Sequence, residues 1–423
     1  MARGVDVYLF PAVVGGGFGD IEEVLAAGRR LSRAGFRTIL YREPGCPLPS
    51  AVDGPWAWPR LERSHRLVPR GRAAMTVVPA WGVSAAPERP GPFGRAGPWA
   101  AEASAVERAY GPDRTLHVSL EEFARTLTSR EENLERLREG GVRSRQLPAR
   151  LAKARTLGEV TTFDRAFRTF RAFDRPNVLH IFATFRRSSR FAREFPEAVQ
   201  TGPLWPGRYR RAVRRRTTRS PEWFWYASPA SAEGIAPLVA EGLLATRPPL
   251  RLYVRTPRPW RTPFDPDRVE VDPGRLEEGA WRSRFAAADL RIVTGSRTLL
   301  EALEVGGPFL YYNGTLGTGA ARRRHRPEKI AALLELGRAR NWPADLLHDL
   351  DDFARAHRIP EIVSRAARRE GGWARFPRSL SPSGFRRPYA DAGELLVRVA
   401  RRLTAPGASA GATVSEFRRR SNL

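Results

Sequence analysis

The segment running from Arg284 to Leu316, RFAAADLRIVTGSRTLLEALEVGGPFLYYNGTL, constrains the fold more than any other part of the chain. An alanine-rich helix end leads into an apolar strand, Leu290–Val293. A loop of small residues follows (Thr294, Gly295, Ser296), then a helix from Thr298 to Val305. A Gly-Gly-Pro break precedes a second apolar strand from Pro308 to Tyr312. This order places backbone N–H groups and a helix N-terminus at the carboxyl end of a buried strand. Open α/β sheets bind phosphorylated ligands there. Glu301, one turn into the helix, can accept hydrogen bonds from sugar hydroxyls while the amides face phosphate.

A second glycine loop lies near the start. Residues Val5 to Val14 form a near-continuous apolar run of the kind found in buried parallel strands. Gly15, Gly16, Gly17, Phe18, Gly19 and Asp20 follow. Next comes an amphipathic helix from Ile21 to Ala34, whose residues Ile21, Val24, Leu25, Gly28 and Leu31 share one face. Gly35 ends it before a strand from Phe36 to Tyr41. The loop lacks the third glycine of a dinucleotide fingerprint, and Glu43 is the nearest acid that could close the second strand.

A chain of 423 residues exceeds one ordinary core and predicts two domains. No run of about 18 apolar residues suggests a membrane span. The amino-terminal residues run directly into the first strand without a leader-like apolar helix, so an intracellular, cytoplasmic protein is expected. Cys46 is the single cysteine, which excludes an internal disulfide and a cysteine-based zinc site. The formal charge is +27, from 72 basic and 45 acidic residues, and Lys153 and Lys329 are the only lysines. GC-rich coding accounts for arginine in place of lysine but not for the excess over acids. Such a field attracts an anionic membrane surface, phosphorylated ligands or nucleic acid. The strong nucleic-acid motifs are missing, which disfavours the last.

Between these blocks the sequence predicts a strand from Ala73 to Val78 and a helix from Trp99 to Tyr110. A short strand from Thr115 to Val118 then meets Ser119, read as the cap of a long helix because Glu122 stands three residues on. Phe163, Phe167, Phe170 and Phe173 recur at helical spacing among arginines, as a core stripe or a membrane-surface face. Strands are expected from Asn177 to Ala183, Trp223 to Ala227 and Leu250 to Val254. The predicted division is a first Rossmann-like domain over 1–205, a basic linker over 206–221 and a second Rossmann-like domain over 222–385. A terminal helix over 386–404 and a loose basic tail over 405–423 follow. The arginine-dense stretch from Arg208 to Arg219 marks the boundary.

Two doubly wound halves with a glycine loop in each resemble the GT-B glycosyltransferases. The likeness is nearest to the lipid-acceptor N-acetylglucosaminyltransferases and the diacylglycerol glycosyltransferases. Their first signature stands here as GGGFGDIEEVLAAGRRL. The second appears as Ala288-Asp289, Leu290–Val293, Gly295, Thr298, Glu301, Ala302 and Leu303, followed by Gly307-Pro308; Gly202-Pro203-Leu204 matches a further family segment. The resemblance implies an α/β fold of two parallel-sheet domains facing across a cleft. It implies transfer of a sugar from a nucleotide-diphosphate donor to a lipid-linked or polyanionic acceptor at the inner membrane face. That nucleotide sugar is a co-substrate; no further cofactor and no metal are implied.

By the same resemblance, Glu301 holds the donor ribose. The amides around Thr294, Gly295, Ser296, Arg297 and Thr298, with Ser228 and Ser231, face the diphosphate. Gly15, Gly16, Gly17, Phe18 and Gly19 form the acceptor loop, and Asp20 is the general base. Arg322, Arg323, Arg324, His325 and Arg326 are phosphate contacts along with Arg297. Where the family grips the sugar with an acid–glutamine pair, this chain offers Glu328 and His325.

Plainer readings stand beside these. Asp20 can be a helix cap, Glu301 a dipole-favoured surface acid, and the run Arg322 to Arg326 a solvated face. His65, His117 and His180 read as packed core histidines. A nucleotide-sugar 2-epimerase shares the architecture, and a non-catalytic scaffold binding a partner enzyme or anionic membrane is the reading from another class.

Overall fold

The computed structural model describes residues 4–10, 19–41, 61–64, 67–79, 90–91, 94–95, 99–122, 176–183, 198–205, 222–226, 229–244, 250–255, 264, 267, 269–271, 278–312, 328–376 and 391–422. It divides into two units. Unit 1 is Met1–Trp205 with Phe385–Leu423, and unit 2 is Pro206–Gly384. The linker expected over 206–221, the long helix after Ser119 and the phenylalanine stripe lie outside the described residues.

Among the described residues, the main sheet of unit 1 has seven strands: β1 (Val5–Leu9), β2 (Arg37–Tyr41), β3 (Leu61–Ser64), β4 (Ala73–Pro79), β5 (Thr115–Glu122), β6 (Val178–Ala183) and β7 (Ala198–Thr201). They pair in the order β3-β2-β1-β4-β5-β6-β7, every neighbour parallel. Helix α1 (Gly19–Arg33) joins β1 to β2, and α2 (Trp99–Tyr110) stands between β4 and β5. Winding runs outward in both directions from β1 and β4. Right-handed crossovers therefore put α1 and α2 on opposite faces. The side chains agree: Val5, Val7 and Leu9 join the core with Val24, Leu25 and Leu31 of α1. The Tyr8 hydroxyl instead meets that of Tyr110 on α2 at 2.9 Å.

Ser119 does not cap a helix. It lies inside β5, opposite Val78 on one side and His180 on the other. A strand with neighbours on both sides satisfies its amides in the ladder, and that pairing overrides the local Ser-x-x-Glu signal.

The chain returns to unit 1 at its end. Helix α9 (Ala392–Leu403) buries Leu395, Leu396, Val399 and Leu403 against the α1 face. The segment expected to be a loose tail is helix α10 (Ala410–Asn422), which corrects that expectation. Ala410, Val414 and Phe417 fall on one face of it and complete the same core, which is why the segment folds in spite of its arginines. Asp391 fastens the return: one carboxylate oxygen caps α9 at the Gly393 amide (2.6 Å), the other binds Arg30 of α1 (2.7 Å). Burial pushes its carboxyl up, and Arg30 and the amide partly offset this. Asp391→Ala, which removes both contacts, is expected to lower unit 1 stability by about 2 kcal/mol in chemical melts, with Asp391→Asn keeping part of it.

Unit 2 carries five strands: β8 (Glu222–Tyr226), β9 (Leu250–Arg255), β10 (Val269–Val271), β11 (Leu290–Val293) and β12 (Phe309–Tyr311). Their order is β10-β9-β8-β11-β12, again all parallel. Helix α3 (Pro229–Leu244) follows β8. Helices α4 (Glu278–Ala287) and α5 (Ser296–Val305) flank β11, and α6 (Glu328–Ala339), α7 (Ala344–Ala354) and α8 (Ile359–Arg368) close the unit. An aromatic cluster fills one face: Phe224 meets Trp281 and Phe285 edge-on, and those two stack at 4.9 Å. The expected pair of doubly wound parallel sheets is present. Among the described residues no helix is long and apolar enough to cross a membrane.

Candidate functional site

Ligands of doubly wound sheets bind outside the carboxyl ends of the strands, at the point where the winding reverses. In unit 2 that point lies between β8 and β11, paired from Trp223↔Leu290 to Trp225↔Ile292. The chain leaves β8 for α3 and leaves β11 for α5, so the two loops emerge from neighbouring strands. Thr294, Gly295, Ser296, Arg297 and Thr298 therefore gather at the switch point, beside the start of the helix that carries Ser231. Ser231 is the third residue of α3 and Ser296 the first of α5. Their side chains, and Ser228 entirely, lie outside the described residues.

The start of α5 is built for close approach. Gly295 is the N-cap, with φ at 79° and no side-chain cap. A Cβ placed there would meet nothing within 4 Å, so backbone conformation rather than crowding calls for glycine. First-turn amides have no acceptor within their own helix and face outward from its positive end. The Thr298 hydroxyl donates to the Thr294 carbonyl and ties the loop to the first turn. Arg297 and Thr298 are both buried.

Glu301 is not the surface acid of the plainer reading. It is 2% exposed and has a partner within the fold. Glu304, Leu299, Leu300 and Leu303 are buried too, so α5 is enclosed on nearly every side.

The other end of α5 is held by Arg291 of β11, which is 2% exposed. Its Nε donates to the Phe285 carbonyl (2.7 Å), Nη2 to Ala286 (3.0 Å) and Nη1 to Gly306 (3.1 Å). Those carbonyls end α4 and α5, so one cation meets two negative helix ends. Its guanidinium also lies 5.3 Å from the Phe285 ring centre. Helix α5 is thereby anchored at its carboxyl end.

In unit 1 the reversal lies between β1 and β4, paired from Val5↔Ala73 to Leu9↔Val77. Gly15, Gly16, Gly17 and Phe18 lie outside the described residues. Gly19 opens α1, so Asp20 falls in its first turn rather than at a cap before Ile21; its side chain is not described. Arg322, Arg324, His325 and Arg326 also lie outside the described residues.

Two tyrosines at the carboxyl ends of unit 2 strands escaped the sequence reading, one on β8 at the switch point and one on the edge strand β12. Tyr226 is the last residue of β8, and Tyr311 stands opposite Val293 in the ladder. Among the described residues the buried Tyr311 hydroxyl has no hydrogen-bond partner, and burial pushes its phenol well above the ordinary range. Their signal was the polar-tipped aromatic ending each apolar run, which reads equally well as core.

No family model matches this chain, and no curated protein matches it. Solved structures do. MurG of Acinetobacter baumannii shares 12% identity, covering 94% of this chain and 99% of its own, at a TM-score of 0.39. The glycosyltransferase VinC, solved in complex with dTDP, shares 12% identity over 99% of both chains at 0.41. UGT2 of Phytolacca americana, complexed with UDP-2-fluoro-glucose and pterostilbene, shares 12% identity over 99% of this chain and 100% of its own at 0.47. Likenesses this distant do not assign an activity, and the fold assignment stands on the two strand orders.

Proposed function

We propose that the chain is a GT-B-type glycosyltransferase that moves a sugar from a nucleotide-diphosphate donor to a lipid-linked or polyanionic acceptor. One observation carries this reading: a glycine-capped helix N-terminus stands at the switch point of a parallel sheet, with an enclosed acid one turn below. Unit 2 takes the donor. The amides of Ser296, Arg297 and Thr298 receive the diphosphate, Ser228 and Ser231 assist, and Glu301 meets the ribose. The run Arg322, Arg324, His325 and Arg326 adds positive charge. Unit 1 takes the acceptor at Gly15 to Gly19.

Asp20 accepts the proton of the attacking hydroxyl. The new bond forms between that oxygen and the anomeric carbon, the bond from that carbon to the phosphate oxygen breaks, and its electron pair leaves on the nucleoside diphosphate. Fixed amide dipoles and arginine offset the developing charge, so turnover is expected to survive chelators.

A thermal-shift screen over uridine, guanosine and thymidine diphosphate sugars tests the donor. A ligand present at about a hundred times its Kd should add about 2.7 kcal/mol to unit 2. Asp20→Asn should keep that shift and lower turnover on the order of a hundredfold or more. Silence across all three nucleotides would favour the non-catalytic scaffold.

A further inference from the structure

Tyr311 closes strand β12 with a buried hydroxyl that the packing of unit 2 does not require. The side chain is 0% exposed, and the hydroxyl meets no hydrogen-bond partner among the described residues. Phe309, two residues earlier on the same face of the strand, fills its place against Phe376 with no hydroxyl, the ring centres 5.2 Å apart. Burying a donor without an acceptor is costly. A hydroxyl kept at that cost has a purpose when its acceptor arrives from outside the chain.

The sheet fixes where that hydroxyl stands. Tyr311 pairs with Val293 and Phe309 with Arg291, so all four side chains share one face. On that face Arg291 touches the Phe285 ring of α4 and the Gly306 carbonyl at the end of α5. The steps from β10 to β11 and from β11 to β12 run the same way across the sheet. Right-handed crossovers therefore lay α4 and α5 over this face together. Helix α5 runs back against the strands from the loop that leaves β11. Its first turn thus lies over the carboxyl ends of β11 and β12, and Tyr311 is the last residue of β12. The phenol rises from the sheet towards the start of that helix. The turn beside it can yield: Gly295 has a left-handed backbone (φ 79°), and a Cβ there would meet nothing within 4 Å.

We propose that Tyr311 sets a preference of this site for a diphosphate over a monophosphate, its hydroxyl donating to one phosphate while the amides that open α5 hold the other. This rests on the donor site proposed above and adds to it a residue from outside the loop and helix that define that site. Two sets of donors on neighbouring strands, about 4.8 Å apart in the ladder, suit two linked phosphates. A single phosphate fills the amides alone. A hydrogen bond to a charged acceptor in an enclosed site is strong, and a ligand that leaves the donor unpaired is rejected accordingly. The hydroxyl keeps its proton throughout; it orients the leaving group and takes no part in the proton transfer.

The full chain is titrated by calorimetry with UDP and UMP, GDP and GMP, and dTDP and dTMP, and the pair with the tightest diphosphate is carried over to Tyr311→Phe. The variant should bind that diphosphate on the order of tenfold more weakly and its monophosphate as the wild type does. Without nucleotide it should melt at or above the wild-type temperature, because an unpaired hydroxyl is gone and the ring remains. With fluorotyrosine incorporated, the resonance that Tyr311→Phe lacks should move in the wild type on adding the diphosphate and stay on adding the monophosphate. Equal diphosphate affinity in the two proteins, a matching loss for the monophosphate, an unmoved resonance, or a lower melting temperature of the ligand-free variant would each overturn the proposal and leave the donor site standing. A wild type that binds none of the six nucleotides would overturn the donor site itself, and the role of Tyr311 with it.

Discussion

Arg291→Met is expected to destabilise unit 2 by about 4 kcal/mol while leaving unit 1 untouched. Methionine keeps much of the volume and the contact with Phe285, so lost packing is a minor part of the effect. The main part is three carbonyls, buried on Phe285 and Gly306 and half-buried on Ala286, that lose a charged donor. Each unmet buried group costs about 1–3 kcal/mol, with relaxation and water entry recovering some of it. Lysine should rescue little, because one ammonium cannot reproduce a planar fork reaching three acceptors. Two separate transitions in a chemical melt, followed by hydrogen exchange of α4 and α5, measure it. A variant that melts like the wild type would show that those helix ends are satisfied some other way. If the proposed donor site is right, the donor-induced shift should weaken as well, since Arg291 anchors the helix whose other end is proposed to receive the diphosphate.

The second large effect is acid sensitivity of unit 1 through His180. This residue of β6 is 2% exposed, and burial, reinforced by the charge of Arg418, lowers its pKa to about 3. Arg418 is itself fixed above the strand, donating to the Val178 carbonyl at 3.0 Å. The folded imidazole therefore stays neutral where the unfolded one, near 6.5, takes up a proton. The contribution is complete above the unfolded value and is lost progressively as pH falls from there towards 3. Across that window it amounts to something on the order of 4 kcal/mol. His180→Leu should flatten the pH dependence of unit 1 unfolding between pH 6 and pH 4 relative to wild type, whatever it does at neutrality. Arg418→Met should keep most of the slope, because burial is the larger cause. Parallel slopes for His180→Leu and wild type would remove the explanation.

Much of the architecture was legible because its signals are local. Leu290–Val293 was read to the residue: four positions that suit a strand, bounded by Asp289 and the loop that opens at Thr294. Helix α9, expected over 386–404, runs from Ala392 to Leu403, so its end was placed within one residue for the same reason. The failures occurred where tertiary contacts outweigh local rules. Ser119-x-x-Glu122 is a sound capping box, but both its residues belong to a strand paired on both sides. Strand β3, LERS, offers one hydrophobic residue and pairs on one side only, so no period-2 pattern announced it. In α10 the spacing of Ala410, Val414 and Phe417 was present, but the run Arg418, Arg419 and Arg420 that follows disguised it as a tail. Arg291 carries no signal of its role, because nothing nearby in sequence tells that two helices end beside it.

The site divides in the same way. Glycine loops after apolar strands mark phosphate-binding positions, and Gly295 does stand at a helix start with a left-handed backbone. The enclosure of Glu301 could not be read, because it depends on what α5 packs against.

The threading of the chain orders its birth. Unit 2 is one uninterrupted segment, whereas the core of unit 1 lacks Leu395, Val399, Val414 and Phe417 until the last helices are made. During synthesis the first half waits with an open hydrophobic face while the second, begun later, already has every strand it needs. Translation thus finishes the earlier-begun half last, and a ribosome that stops short of residue 391 releases a protein whose second lobe is whole and whose first is not.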